Sequence, residues 1–203
     1  MIKRYVNDFG QNTYLHIEKK EAVLIDAASR SAAVKKDLKD AGATLKAVFL
    51  THGHYDHIAN LEEILETFPV KVHIHEEDED FLFAPSLNLS QLFGKSFALA
   101  DKTRIATFAK DEEFSFGALR VLSHHTPGHT KGSVIYQIGD ALYTGDTLFK
   151  GSVGRTDLPG GDQETLAMTL ARLKGNFSEK LRIFPGHGEE SMLKKERREN
   201  PFL

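Results

Sequence analysis

Thr51-His52-Gly53-His54-Tyr55-Asp56-His57 brings three imidazoles and a carboxylate together within six residues. Protonated histidines repel one another and a buried carboxylate needs a partner, so the cluster is costly unless a shared positive group sits among these side chains. A divalent cation removes both costs. Neutral imidazole nitrogen and carboxylate oxygen suit zinc, iron or manganese, and a loop lets alternate side chains reach different sides of one pocket. The competing reading of this segment by itself is a solvated polar loop.

Three later segments repeat the pattern of a ligand type beside a glycine: His129 in Thr126-Pro127-Gly128-His129-Thr130, Asp146 in Tyr143-Thr144-Gly145-Asp146-Thr147, and His187 in Phe184-Pro185-Gly186-His187-Gly188. Small residues let the backbone turn and approach a site closely, so the recurrence predicts one cleft built from loops at a sheet edge. His52, His54, Asp56, His57, His129, Asp146 and His187 exceed what one tetrahedral zinc can use. Two metals sharing a carboxylate would use them all, and two-metal sites commonly perform hydrolysis.

Elements that can carry these loops follow from the apolar patterning. Residues 12–17 and 22–25 read as a hairpin whose second strand ends at Asp26, and a helix capped by Ser29 or Ser31 runs to Ala41 with Gly42 as its stop. The strand at 46–50 delivers the histidine loop, and a helix follows at 58–68. Residues 70–75 form another strand, and 76–83 a short acidic helix facing solvent. The stretch 84–102 is irregular, a candidate lid or substrate wall whose apolar residues are weighed against core filling. Strands at 112–116, 119–123, 133–138 and 141–143 make a second sheet with turns at Gly117 and Gly139-Asp140. A helix at 163–174, a strand at 181–184 and a terminal helix at 189–198 complete the chain. Two strand-rich halves with helices outside predict an α/β fold, a four-layer αββα sandwich. No repeat or linker divides it, so residues 1–203 read as one domain.

The 203 residues are 40% hydrophobic and 27% charged, with a net charge of -3, which gives no electrostatic case for nucleic acid. Cysteine is absent, excluding disulfides, thiolate nucleophiles and thiolate metal sites. The N-terminal residues lack the apolar run of a secretory signal, and no run approaches the roughly 18 residues of a membrane-spanning helix. A cytoplasmic protein acting on a small molecule is the expectation.

The ordered set His52-x-His54-x-Asp56-His57, His129, Asp146 and His187 resembles the metallo-β-lactamase superfamily over nearly the whole chain. Within it, residues 148–162 and the ending Asn200-Pro201-Phe202-Leu203 resemble the single-domain glyoxalase II-like hydrolases. The resemblance implies the αββα fold and two divalent transition-metal ions, zinc first and iron or manganese as alternatives. It implies one ion on His52, His54 and His129, the other on Asp56, His57 and His187, and Asp146 between them. It also implies a catalytic role for Asp56, orienting a metal-activated hydroxide that attacks a small hydroxyacyl thioester such as S-lactoylglutathione. A thiolate leaves without protonation more readily than an alkoxide or amine.

Arg155 matches the basic residue of the family's substrate loop and is the candidate contact for a substrate anion, with pairing to Asp157 or Asp162 as the alternative. Asp157 stands where the longer glyoxalase II enzymes place a tyrosine, and the chain ends without their helical extension, which leaves glutathione a weaker expectation than thioester hydrolysis. The rivals are a persulfide dioxygenase-like enzyme with one iron, a lactone hydrolase, and a non-catalytic metal-binding module. A β-lactamase ranks lower, because the cysteine-containing types are excluded and the Asp146 bridge differs from the remaining type. His73 and His75 alternate on a strand without a third ligand nearby, which favours a structural role. One of His124 and His125 is expected to support the metal ligands. Ser152 lacks a nucleophile elbow.

Overall fold

In the computed structural model, which describes residues 1–203, β1 (Ile2–Val6), β2 (Asn12–Glu18), β3 (Glu21–Ile25), β4 (Thr44–Phe49), β5 (Lys71–His75) and β6 (Ile105–Phe108) lie side by side in that order. The first three are antiparallel, joined by short turns. From β3 to β6 the pairing is parallel. Parallel neighbours need a crossover long enough to return the chain. Helix α1 (Ser31–Ala41) provides the first, and α2 (Tyr55–Ile58) with α3 (Leu61–Thr67) the second.

The second sheet contains β7 (Glu113–Phe116), β8 (Leu119–His125), β9 (Val134–Ile138) and β10 (Ala141–Gly145), all antiparallel neighbours. A small ribbon of β11 (Leu148–Phe149) and β12 (Ser152–Val153) follows, then α4 (Gln163–Asn176). The strand β13 (Arg182–Pro185) returns parallel to β10, and β14 (Ser191–Met192) pairs antiparallel outside it, ahead of α5 (Leu193–Glu199).

The period of two along the strands sorts apolar side chains into three separate cores. Leu15, Ile17, Ala22 and Leu24 face Val34 and Leu38 of α1 and Leu61, Ile64 and Leu65 of α3. The alternate residues Tyr14, Val23, Ile25 and Phe49 meet Val121, Tyr136, Tyr143 and Phe184 between the sheets. On the far side Ile135, Leu142 and Ile183 pack against Leu166, Leu170 and Leu173 of α4 and Leu193 of α5. The layers are therefore helix, sheet, sheet, helix, as the patterning predicts. Leu166, Leu170 and Leu173 recur at helical spacing, and Asp162 caps α4 by accepting from Thr165 N at 2.7 Å.

Several elements depart from the sequence reading. The edge strands β1 and β6 depart from the expectation: β1 is short, largely exposed and forms a hairpin with β2, and β6 is short and pairs with β5 from across the 76–104 stretch. The helix expected at 58–68 is α3, Leu61–Thr67, and a separate short helix, α2, starts earlier at Tyr55 within the expected loop and carries Asp56 and His57. Arg30, not Ser29 or Ser31, occupies the α1 N-cap, and Glu63 Oε1 takes the Ser31 amide at 2.9 Å. The terminal helix starts at Leu193 rather than 189, because Ser191–Met192 pairs with β13. The acidic 76–83 segment is a 3-10 helix over Glu76–Leu82, and it does not simply face solvent: Asp78 is 0% exposed.

His73 and His75 have the structural role expected of them. His73 lies on Phe49, ring centroids 4.8 Å apart, and His75 stacks on His125 at 3.9 Å. Burial, helped by the charge of Lys71, lowers the His73 pKa from 6.5 to about 4. The unfolded chain then binds the proton more tightly, so this contribution is intact above pH 6.5 and erodes as pH falls toward 4. Denaturant midpoints of wild type and His73→Phe should therefore diverge, in the variant's favour, between pH 7.5 and pH 4.5. An unchanged gap would remove His73 from the acid sensitivity.

Candidate metal centre

Strands β3, β4 and β5 run in one direction, as do β8, β10 and β13 in the other sheet, so their C-terminal ends gather functional loops at shared sheet edges. His52, His54, Asp56 and His57 follow β4, His129 follows β8, Asp146 follows β10 and His187 follows β13. All seven residues expected from the sequence meet. The ligand atoms of His52, His54 and His129 lie within 4.8 Å of one another, and so do those of Asp56, His57 and His187. His52, His57 and Asp146 form a third such group, which places His52 at the junction.

Asp146 touches both halves. Its Oδ1 is 3.2 Å from His57 Nε2, while Oδ2 is 3.7 Å from both His129 Nε2 and His187 Nε2. His54 Nδ1 and His129 Nε2 are 3.0 Å apart, and His187 Nε2 lies 3.0 Å from Asp56 Oδ2. The Nε2 atoms of His52 and His57 and Asp146 Oδ1 are buried with no hydrogen-bond partner, which a core rarely tolerates unless a bound ion takes the lone pairs. This is the pattern two cations would satisfy.

The outer nitrogens settle which inner ones carry lone pairs. His57 Nδ1 donates to Asp26 Oδ2 at 2.7 Å, and His129 Nδ1 donates to the Arg155 carbonyl at 2.7 Å. Each ring is thereby held with Nε2 facing the centre. Burial, reinforced by neighbouring imidazoles, holds His52 well below its ordinary pKa and lowers His54 to about 3, which keeps both neutral. His57 moves the other way, because Asp26, Asp146 and Asp56 outweigh its burial and raise it well above 6.5. Three carboxylates around one ring demand positive charge at this spot, which a proton on Nε2, 3.2 Å from Asp146 Oδ1, supplies and a bound cation would replace.

Two supports were not legible in the sequence. Asp26, 1% exposed, sits at φ 61° and accepts from Thr51 N at 2.8 Å as well as from His57. Its carboxylate stabilises a left-handed turn that few side chains adopt. Asp78 accepts from Gly53 N (3.1 Å), Thr130 Oγ1 (2.7 Å) and Gly132 N (2.7 Å), tying the His52–His57 loop to the loop carrying His129. Its i, i+3 spacing to buried Phe81 was the available signal, masked by the flanking acids.

Glycine is required at two contacts: a Cβ on Gly186 would lie 2.3 Å from Asp146 Oδ1, and one on Gly154 would lie 1.8 Å from the Asp146 carbonyl. His124 and His125 do not support the metal ligands. They face Gln137 Oε1 and the Lys131 carbonyl at 3.3 and 2.8 Å, and neither contacts the seven residues.

A cleft of about 410 Å³ opens over the centre, lined by His54, Asp56, Asp146 and His187 and walled by Leu92, Phe93 and Phe149. The 84–102 stretch divides its work. Leu92 and Phe93 line the cleft, while Phe97 and Leu99 pack on the core. Arg155 also lines the cleft, and its guanidinium makes a bidentate pair with Asp157, 2.6 and 2.7 Å.

Replacing Asp26 by Asn keeps one acceptor but removes charge beside His57. Metal affinity, read by chelator competition, should fall about 10–100-fold, with circular dichroism unchanged. Wild-type affinity in the variant would show that Asp26 only shapes the turn.

The family model of the metallo-beta-lactamase superfamily matches residues 6–187. A probable metallo-hydrolase, YqgX of Bacillus subtilis, is 34% identical over 98% of this chain and 94% of its own length. The hydroxyacylglutathione hydrolase GloC of Haemophilus influenzae is 32% identical, covering 98% of this chain and 95% of its own. Among solved structures, the B3 metallo-beta-lactamase BLEG-1 superposes with a TM-score of 0.89 at 32% identity, over 100% of this chain and 99% of that one. Ligand order, sandwich architecture and these likenesses agree: the chain belongs to the metallo-β-lactamase superfamily and is a glyoxalase II-like member of it.

Proposed function

We propose that this metal-dependent hydrolase is a binuclear thioesterase acting on small hydroxyacyl thioesters such as S-lactoylglutathione. The supporting observation is a cleft that combines a complete two-site donor set with no free acid to protonate a leaving group. Of its polar lining residues outside that set, Asn88 spends its amide N–H groups on the Phe81 and Phe97 carbonyls, and Arg155 is a permanent cation. Amine departure needs a proton, whereas a thiol ionises near pH ~8.5 and can leave as the anion. The similarity to GloC points the same way. BLEG-1, named as a lactamase, makes a β-lactam the necessary counter-substrate.

Bound at the centre, two divalent transition-metal ions, zinc first and iron or manganese next, supply Lewis acidity that lowers the pKa of water and polarises a carbonyl oxygen. His52, His54 and His129 would hold one, Asp56, His57 and His187 the other, with Asp146 shared. Asp56 faces the cleft and is the residue to orient the attacking water through a carboxylate oxygen. Its backbone carbonyl accepts from Asn7 Nδ2 at 3.0 Å, and its Oδ2 meets His187, so its direction is set from both ends. Leu92, Phe93, Phe149 and Leu158 give the acyl chain an apolar wall. Arg155 binds an anionic part of the substrate. Its pair with Asp157 is exposed to water and opens readily to a competing carboxylate.

Elemental analysis of protein purified without chelators and reloaded with zinc, iron or manganese should give two equivalents per chain. A ceiling of one equivalent would favour the mononuclear dioxygenase reading. Asp56→Ala and His187→Ala should each remove most thioester hydrolysis while preserving the circular dichroism spectrum.

For the substrate contact, Arg155→Ala should raise KM more than it lowers kcat, and only for anionic thioesters, while Asp157→Ala should lower that KM by freeing the guanidinium. Equal effects on charged and neutral thioesters would remove the anion-binding role. Fully metallated protein that cleaves a lactone or β-lactam but no thioester would refute the thioesterase assignment.

A further inference from the structure

Beside the metal cleft lies a second groove of about 610 Å³, with Phe9, Ser29, Arg30, Tyr55 and Lys95 among its lining residues. A ridge of rings separates the two. Phe93 belongs to the cleft and Phe9 to the groove, their centroids 4.7 Å apart, and Tyr55 lies 6.0 and 5.7 Å from them. The chain crosses this ridge twice. Tyr55 faces the groove between His54 and Asp56, which face the cleft, and Lys95 faces the groove two residues after Phe93. A ligand reaching past the cleft over Phe93 therefore enters this groove, and the ridge remains partly open to solvent, Phe9 at 39% and Phe93 at 43% exposure.

Tyr5, Asn7 and Asn60 in the groove are engaged with Asp37, the Asp56 carbonyl and the Ala28 carbonyl, but its two cations and one hydroxyl are not. Lys3, Lys36 and Lys46 pair with Asp37, Asp40 and Glu21, but neither Arg30 nor Lys95 pairs with a carboxylate. The hydroxyl of Ser29, a residue 7% exposed, has no hydrogen-bond partner. Asp8 is the groove's single acid against these two cations. The α1 N-terminus is not the recognising feature, because Glu63 already accepts from Ser31 N and Oγ.

We propose that this groove binds the anionic end of an extended carrier thiol, through Arg30, Lys95 and Ser29, while the acyl group lies in the metal cleft. The proposal rests on the thioesterase reading for the identity of its ligand. The thiol arm crosses the Phe9–Phe93 ridge, where apolar contact suits methylene groups, and its terminal carboxylate or phosphate meets the two cations. Recognition of the carrier's far end then resides in Arg30 and Lys95, while Arg155 meets an anionic part nearer the metal cleft.

The test is calorimetric binding of uncleavable thioethers to the metal-loaded full chain: S-methylglutathione for carboxylates, S-methyl-coenzyme A for phosphates and N-acetyl-S-methylcysteamine as the neutral probe. Wild type should prefer at least one anionic probe, and the preferred probe identifies the anion. In Arg30→Glu/Lys95→Glu the ratio of anionic to neutral affinity should fall at least about tenfold, and wild-type affinity for the anionic probe alone should weaken with added salt. Arg30→Gln/Lys95→Gln replaces the double reversal if that variant is misfolded.

No preference in wild type, salt-independent binding, or an unchanged ratio in the folded variant would each overturn the groove assignment. Thioester hydrolysis is assayed on the same samples. Activity with an unmoved ratio sinks the groove and keeps the thioesterase, whereas a shifted ratio without activity sinks the thioesterase and keeps an anion-binding groove.

Discussion

The contact between Asp26 and His57 is the constraint on which much of the centre depends. An imidazole presents a lone pair inward only if its other nitrogen is committed outward, and Asp26 commits it at 2.7 Å. The same carboxylate accepts from Thr51 N, at the entrance of the histidine loop, so one buried group fixes both the ring and the backbone beside it. Its burial would be costly in isolation. The Thr51 N–H and hydroxyl and the His57 ring N–H offset that cost.

Asp78 performs a related task without touching a ligand. Its two oxygens accept from the loop after β4 and the loop after β8, which come from different sheets. Histidines on two sheets can share a cation only if the sheets keep their separation at this edge, and the apolar layer between them cannot direct individual loops. A buried carboxylate with three donors can, because each hydrogen bond has a length and a direction. Asn12 does the same for the last loop, donating to the Pro185 and Gly188 carbonyls around His187.

Catalytic and recognition demands separate in space. The centre is held by hydrogen bonds, with His52, His54, His57 and His129 buried, while the walls above it are exposed apolar side chains such as Leu92, at 74%. Rigid donors preserve ligand geometry, and an open wall places few shape limits on what lies against it. Arg155 joins the two regions through one residue: its carbonyl holds the His129 ring while its side chain reaches the cleft mouth. A substitution there that disturbs only the side chain leaves the carbonyl contact in place.

The seven ligand types, their order and the alternation that builds a four-layer sandwich were legible in the chain, because ligand chemistry and strand period are local properties. His52, His54 and His57 sit within one loop, and Leu15, Leu24 and Tyr14, Val23 declare opposite faces by parity alone. The roles of Asp26 and Asp78 were not legible, since a carboxylate after a strand or inside an acidic run looks solvated until tertiary structure brings Thr51, His57, Gly53 and Thr130 against it. The edge strands β1 and β6 were hidden for the same reason: their stability comes from a neighbouring strand and not from their own four or five residues. Tertiary structure also decided that Arg155 meets Asp157, that Leu92 and Phe93 form a wall while Leu99 joins the core, and that His124 and His125 turn away from the metal centre. Sequence spacing specifies which side chains share a face; only packing between the two sheets specifies which faces meet.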